Sequence, residues 1–181
     1  MHRLFVAIRP PDFVRDLLVD AMADSPDLRW VPDDNIHLTL RFIGEVERPL
    51  AEDVAAALAT LRSPAFHLRI SGVGQFARRS GGALWAAVEP RDSVAALAAK
   101  VERACVTAGL PAERRAFHSH ITLARWNGRA TPAVEAFLTR NRALASEPFA
   151  VKAFTLFESR LSRHGAHYEP VAEYALTAFA S

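Results

Sequence analysis

With 181 residues, half of them hydrophobic and 23% charged, the chain has room for one substantial core or for two small lobes that share one. Its 22 basic and 20 acidic residues leave a net charge of only +2, enough to accept a phosphorylated ligand and too little to demand a long nucleic-acid track. The single Cys105 excludes an internal disulfide and a cysteine-built zinc site, and no apolar run approaches the ~20 residues that span a bilayer.

The first ten residues, MHRLFVAIRP, hold too short an apolar run for a signal peptide, so a cytoplasmic protein with no membrane partner is expected. Within them Arg3 to Ile8 reads as a short strand closed by Pro10 and Pro11. From Asp12 to Met22, Phe13, Leu17 and Leu18 recur at helical spacing. A turn through Trp30-Val31-Pro32 and Asp33-Asp34-Asn35 leads into Ile36 to Ile43, IHLTLRFI, which alternates residue by residue as a strand between two environments does. Ile36, Leu38, Leu40 and Phe42 are expected in the core, and His37, Thr39 and Arg41 on the opposite face. Gly44 ends this strand, and Leu50 to Leu61 reads as a helix with Val54, Leu58 and Leu61 on its apolar side.

Phe66 to Ile70 alternates again and is expected to break at Gly72-Val73-Gly74. A basic turn, Arg78-Arg79-Ser80-Gly81-Gly82, then leads to a return strand from Leu84 to Val88. Asp92 is placed as the N-cap of a helix reaching Ala108, with Val94, Leu97, Val101 and a buried Cys105 along one stripe, stopped by Gly109 and Pro111. A second alternating strand, Phe117 to Ala124, contains His120-Ile121-Thr122-Leu123. Thr131-Pro132 opens a helix to Asn141. Strands Ala150 to Glu158 and Tyr168 to Ala178 flank a turn at Ser162 to Gly165.

The pattern His-apolar-Thr-apolar therefore occurs twice, 83 positions apart. Seven His and eight Thr in this length give about 0.3 His-x-Thr triplets by chance, so two copies with the apolar positions kept are a rare accident. From each His strand onward the order is strand, helix, hairpin, which reads as an internal repeat with a pseudo-twofold relation. The expectation is an α+β fold with mainly antiparallel sheets, in which a pseudo-twofold pairing of the halves would bring the two His faces together across a cleft.

Two imidazoles across a cleft suit phosphodiester cleavage. With an ordinary pKa near ~6.5, one ring can take a proton from water while the other protonates the leaving oxygen. Each Thr, two residues on, can donate to a non-bridging phosphate oxygen where charge builds in the transition state. The scheme needs no metal and no cofactor.

The paired HLTL and HITL resemble the signatures of the two-histidine phosphoesterase superfamily. The segments RWVPDDNIHLTLRFIGEV, HITLAR and FTLFESRLS are similar to those of the bacterial RNA 2′,3′-cyclic phosphodiesterases, also called 2′-5′ RNA ligases, with likeness from Leu4 to about Leu176. The resemblance implies a duplicated bilobed fold, with residues 1–181 as one two-lobed domain, two sheets facing a central cleft and helices outside. It also implies hydrolysis of RNA 2′,3′-cyclic ends to 2′-phosphomonoesters, with weak reverse 2′-5′ ligation. It assigns His120 as general base, His37 as general acid, and Thr39 and Thr122 as phosphate holders. Arg125 would add charge at the substrate, although its strand parity is opposite to that of His120 and a bulge or a strand end must turn it into the cleft. Ser119 stands where the family usually has Pro. Phe76 could stack a terminal base or pack in the core, and Arg41 could bind substrate or be solvated. A solvated His118 is the plainer reading for that residue. A monomer is expected, and a phosphodiesterase for small cyclic or 2′-5′ linked nucleotides, or a binding module for RNA ends, stands as the alternative.

Overall fold

A computed structural model describes all residues, Met1–Ser181. In chain order its elements are β1 (His2–Ile8), α1 (Asp12–Ala21), β2 (Arg29–Trp30), a 3₁₀ turn (Asp33–Asn35), β3 (Leu38–Val46), α2 (Arg48–Ala59), β4 (Phe66–Arg78), β5 (Gly81–Glu89), α3 (Arg91–Thr107), β6 (Ile121–Asn127), α4 (Pro132–Arg140), β7 (Phe149–Val151), β8 (Ala153–Ser162) and β9 (Gly165–Ala175). The strands follow one another in the order β7-β4-β5-β6-β3-β1-β8-β9, every named pair antiparallel, with β2 beside β6. The fold is α+β, as expected. The two four-strand halves meet at one residue pair, Leu38 opposite Ile121.

That seam sets the site. Leu38 and Ile121 are buried in a core that also takes Ile36, Leu40 and Leu123 from the two His segments. The helices cover this face: α1 through Val14 and Leu18, α2 through Val54 and Leu58, and α3 through Val94, Leu97, Val101 and Cys105. Fully burying one such aliphatic side chain is worth roughly 1.5–3 kcal/mol. Burial also pushes the Cys105 thiol up to about 11, so it is a core residue. No helix is long and apolar enough to cross a membrane.

Several expectations shift. Phe13 is 49% exposed, because the inward stripe of α1 runs through Val14 and Leu18 instead. Asp92 lies in the first turn of α3 and not at its cap, which Pro90 occupies. Thr131 holds the cap position of α4 without a side-chain capping bond. Strand β4 does not break at Gly72: a register shift between Ile70 and Val73 absorbs the irregularity, and Gly72 takes φ +85°, a value that suits glycine. The second His strand starts only at Ile121, leaving Phe117 to His120 as an irregular approach.

The larger difference lies in the crossing of the chain. The β4–β5 hairpin pairs with β6, and β8 pairs with β1. The order β1-α1-β3-α2-β4 is thus matched by β5-α3-β6-α4-β8, and the last strand of each set pairs beside the first strand of the other. The repeat read from the sequence began at the His strand and so kept the β4–β5 hairpin in one half, whereas its two strands belong to different sets.

Candidate active site

His37 and His120 each immediately precede a strand, His37 before β3 and His120 before β6. About the Leu38–Ile121 pair the antiparallel register sets His37 toward Thr122 and Thr39 toward His120, all on the face opposite the core residues. Two imidazoles and two hydroxyls thus form a square across the seam. His37 feels the charge of His120, and both rings feel that of Arg125.

Each ring is oriented by its own approach segment. His37 Nδ1 lies 2.6 Å from the carbonyl oxygen of Asn35, and His120 Nδ1 lies 2.7 Å from that of His118. A carbonyl only accepts, so Nδ1 carries the hydrogen in both rings and Nε2 is left for the cleft. Aromatic neighbours complete the setting in parallel fashion. Tyr168 meets His37 edge-on at 5.3 Å and 89°, and Phe76 meets His120 at 5.1 Å and 88°. Phe5 lies under His37, and Trp85 flanks His120. Burial holds the pKa of both imidazoles below the ordinary value, opposed by the carbonyl bond to each ring. Neighbouring charge lowers them further: His120 and Arg125 at His37, His118 and Arg125 at His120.

Of a bulge and a strand end, it is a bulge that turns Arg125. Between the pairs Trp85–Thr122 and Leu84–Ala124 the register slips by one, leaving Leu123 as the extra residue. Leu123 and Ala124 both turn into the core, and Arg125 emerges on the face of Thr122, opposite Ala83.

Strand β3 does the same, which moves two residues. Ala7 pairs with Thr39 and Val6 with Arg41, so Leu40 is the extra residue there. Arg41 consequently leaves the His face. Its guanidinium donates to Glu102 of α3 and to the carbonyls of Phe42 and Pro111, so it anchors the segment after α3 while lining the cavity that reaches Thr39 and His120. Phe42, expected in the core, is 54% exposed beside Phe5. In the repeat Phe42 matches Arg125 and Arg41 matches Ala124.

Phe76 is not a core residue either. It is 40% exposed and touches His118 and His120. With Phe42 and Phe117 it lines a cavity of about 380 Å³ floored by alanines of α3 and reaching Thr39 and His120. His118 is packed against Phe76 and Trp85, so it belongs to this wall and is not simply solvated. Sequence reasoning missed Tyr168, Trp85, Phe42 and Phe117. Only Phe42 carried a signal, its match to Arg125 in the repeat.

Comparison with known proteins gives one consistent answer. The family model described as the 2′-5′ RNA ligase superfamily matches residues 10–163. The chain is 32% identical to the Escherichia coli protein named RNA 2′,3′-cyclic phosphodiesterase over 97% of both chains, and 33% identical to the Aeropyrum pernix protein of that name over 81% of this chain and 85% of the other. It is also 33% identical to a Geobacillus stearothermophilus protein of that name, of whose length it spans half. Among solved structures, that of E. coli LigT complexed with 3′-AMP superposes with a TM-score of 0.81 at 30% identity, covering 97% of this chain and 98% of the other. Kluyveromyces marxianus Usb1, at 10% identity and a TM-score of 0.51, shares the fold alone. With a duplicated His-x-Thr pair at the seam of this sheet and these matches along its length, the chain belongs to the 2′-5′ RNA ligase superfamily.

Proposed function

We propose that this protein hydrolyses RNA 2′,3′-cyclic phosphate ends to 2′-phosphomonoesters with His37 as general acid and His120 as general base, without a metal ion. At the level of activity class it is an RNA 2′,3′-cyclic phosphodiesterase, as relatives at 25–33% identity over most of the chain are. The observation that carries the mechanism is the paired tautomer: two rings with Nδ1 committed to a carbonyl and Nε2 free, beside one seam. No three His, Cys, Asp or Glu side chains converge into a ligand set for an ion.

Water attacks phosphorus and gives its proton to Nε2 of neutral His120. The bond from phosphorus to the 3′ oxygen breaks, and Nε2–H of protonated His37 supplies that oxygen with a proton. The products are a 2′-phosphate and a free 3′-hydroxyl, with the two rings left in exchanged protonation states. Thr39, Thr122 and Arg125 stabilise the equatorial oxygens of the pentavalent transition state. A 5′-hydroxyl in place of water would give a 2′-5′ bond by the same path, so weak ligation is part of the proposal.

The test is turnover of adenosine 2′,3′-cyclic phosphate with and without chelator, with the product identified. Adenosine 2′-phosphate formed equally under both conditions is the expected result. Mainly 3′-phosphate would exchange the roles of the two oxygens, and activity that vanished with chelator and returned with a divalent ion would transfer the chemistry to metal-bound water.

A further inference from the structure

The registers of the sheet map the cleft floor as rows across the strands. In one row Phe76 of β4 stands opposite Ala83 of β5, Ala83 opposite Arg125 of β6, and Arg125 opposite Arg29 of β2. Paired residues share a face, and the next residue confirms the side: Trp30 points the other way, against Phe137 of α4. In the adjacent row Arg78 stands opposite Gly81 and Gly81 opposite Asn127. Arg29 donates to Asn127 Oδ1 at 3.3 Å.

This arrangement sets two guanidinium groups directly across from each other. Like charges in that relation repel. Seven of the chain's 20 arginines are ion-paired, and Arg29, Arg78 and Arg125 are among the 13 that are not; what sets Arg29 and Arg125 apart is that they stand opposite each other. All three are exposed. An anion on this face would offset the repulsion between Arg125 and Arg29.

We infer that Arg29 binds a second phosphate, the one joining the terminal nucleotide to its upstream neighbour, so that the site is built for the end of a polynucleotide and not for a free mononucleotide. The inference rests on the phosphodiesterase reading above. The row has the order a nucleotide needs. Base and 5′ phosphate leave the ribose in different directions, and here the aromatic Phe76 and the cationic Arg29 lie on opposite sides of Arg125. Arg29 is one strand spacing, ~4.8 Å, beyond Arg125. Arg78, in the next row, continues the cationic face toward the following phosphate.

The experiment compares adenosine 2′,3′-cyclic phosphate with the dinucleotide ApA ending in the same cyclic phosphate. Wild type should show a salt dependence of kcat/KM steeper on the dinucleotide by a log–log slope of about 0.7, the value for one added single-strand phosphate contact. Arg29→Ala should lower kcat/KM on the dinucleotide about fivefold more than on the mononucleotide, as loss of one exposed ion pair does, and should abolish the difference in salt slope. Arg29→Lys should restore most of that slope, since a point charge suffices for it. If Arg29→Ala affects both substrates by one factor, or leaves the slope difference intact, the second-phosphate assignment is wrong. Wild type inert on both substrates would defeat the phosphodiesterase reading alone. The subsite is read separately by the same contrast in affinity for the two 2′-phosphate products.

Discussion

His37 and His120 both have pKa values below the ordinary imidazole value, chiefly because each ring is desolvated. Activity needs one neutral and one protonated ring, so the bell in kcat/KM for wild type should peak on the acid side of about 6.5. His120→Ala should remove the rising limb and His37→Ala the falling one, each at a cost of about 10²–10⁴ in rate. The same depression links to stability. Below about 6.5 the unfolded chain binds more protons than the folded one, so the contribution is full above that pH and is lost as pH falls through the folded-state values. Thermal unfolding scanned downward from pH 7 should show this loss, and replacing either ring by Gln should reduce it. Arg125 contributes positive charge at both rings, so Arg125→Ala should move the bell toward higher pH as well as lower it, whereas an arginine that only packed would leave the optimum in place. Thr39→Ala or Thr122→Ala removes one transition-state donor, a loss of roughly 2.7–4 kcal/mol in an enclosed site and less in an open cleft. Measured kcat for the two variants, with unfolding midpoints as control, checks this.

At the scale of the element, two bulges decide which side chains reach substrate. The alternation of IHLTLRFI placed His37 and Thr39 on one face and Leu38 and Leu40 in the core, because the first three precede the bulge and Leu40 is the residue that forms it. It failed at Arg41 and Phe42, because one extra residue in a strand inverts the parity of everything beyond it. No local sequence feature marks Leu40 or Leu123 as the extra residue. For Arg125 the need for a bulge or a strand end was legible only because the resemblance required a cation where parity denied one. Of the aromatic walls only Phe76 was singled out, since Tyr168 and Trp85 come from strands remote in sequence and approach the rings only through pairing. A further element-scale dependence concerns β4. A Cβ on Gly74 would lie 2.3 Å from the Trp85 ring, which sits beside Thr122 in the register. Gly74→Ala should therefore displace the indole and destabilise the fold by about 1–3 kcal/mol, with turnover falling as well. A denaturant titration beside an activity assay measures both effects.

For the whole molecule, the fold class and the convergence of the two motifs followed from counting elements and noting the duplication. The exchange of strands between the sets did not, because a hairpin that stays together in sequence gives no hint that its two strands serve different neighbours. That exchange has a consequence for how the enzyme can be taken apart. The turn at Arg79–Ser80 is the place where one set hands over to the other. A chain cut there yields residues 1–79, which carry His37 and Thr39, and residues 80–181, which carry His120 and Thr122. Each fragment keeps edges that only the other can cover: β1 awaits β8, and β4 awaits β5. Neither fragment should turn over substrate alone, and mixing them should restore activity in proportion to the complex formed. Complementation would fail whenever either fragment carried its His→Ala change, making the two half-enzymes a reporter that gives a signal only when both halves are present and intact.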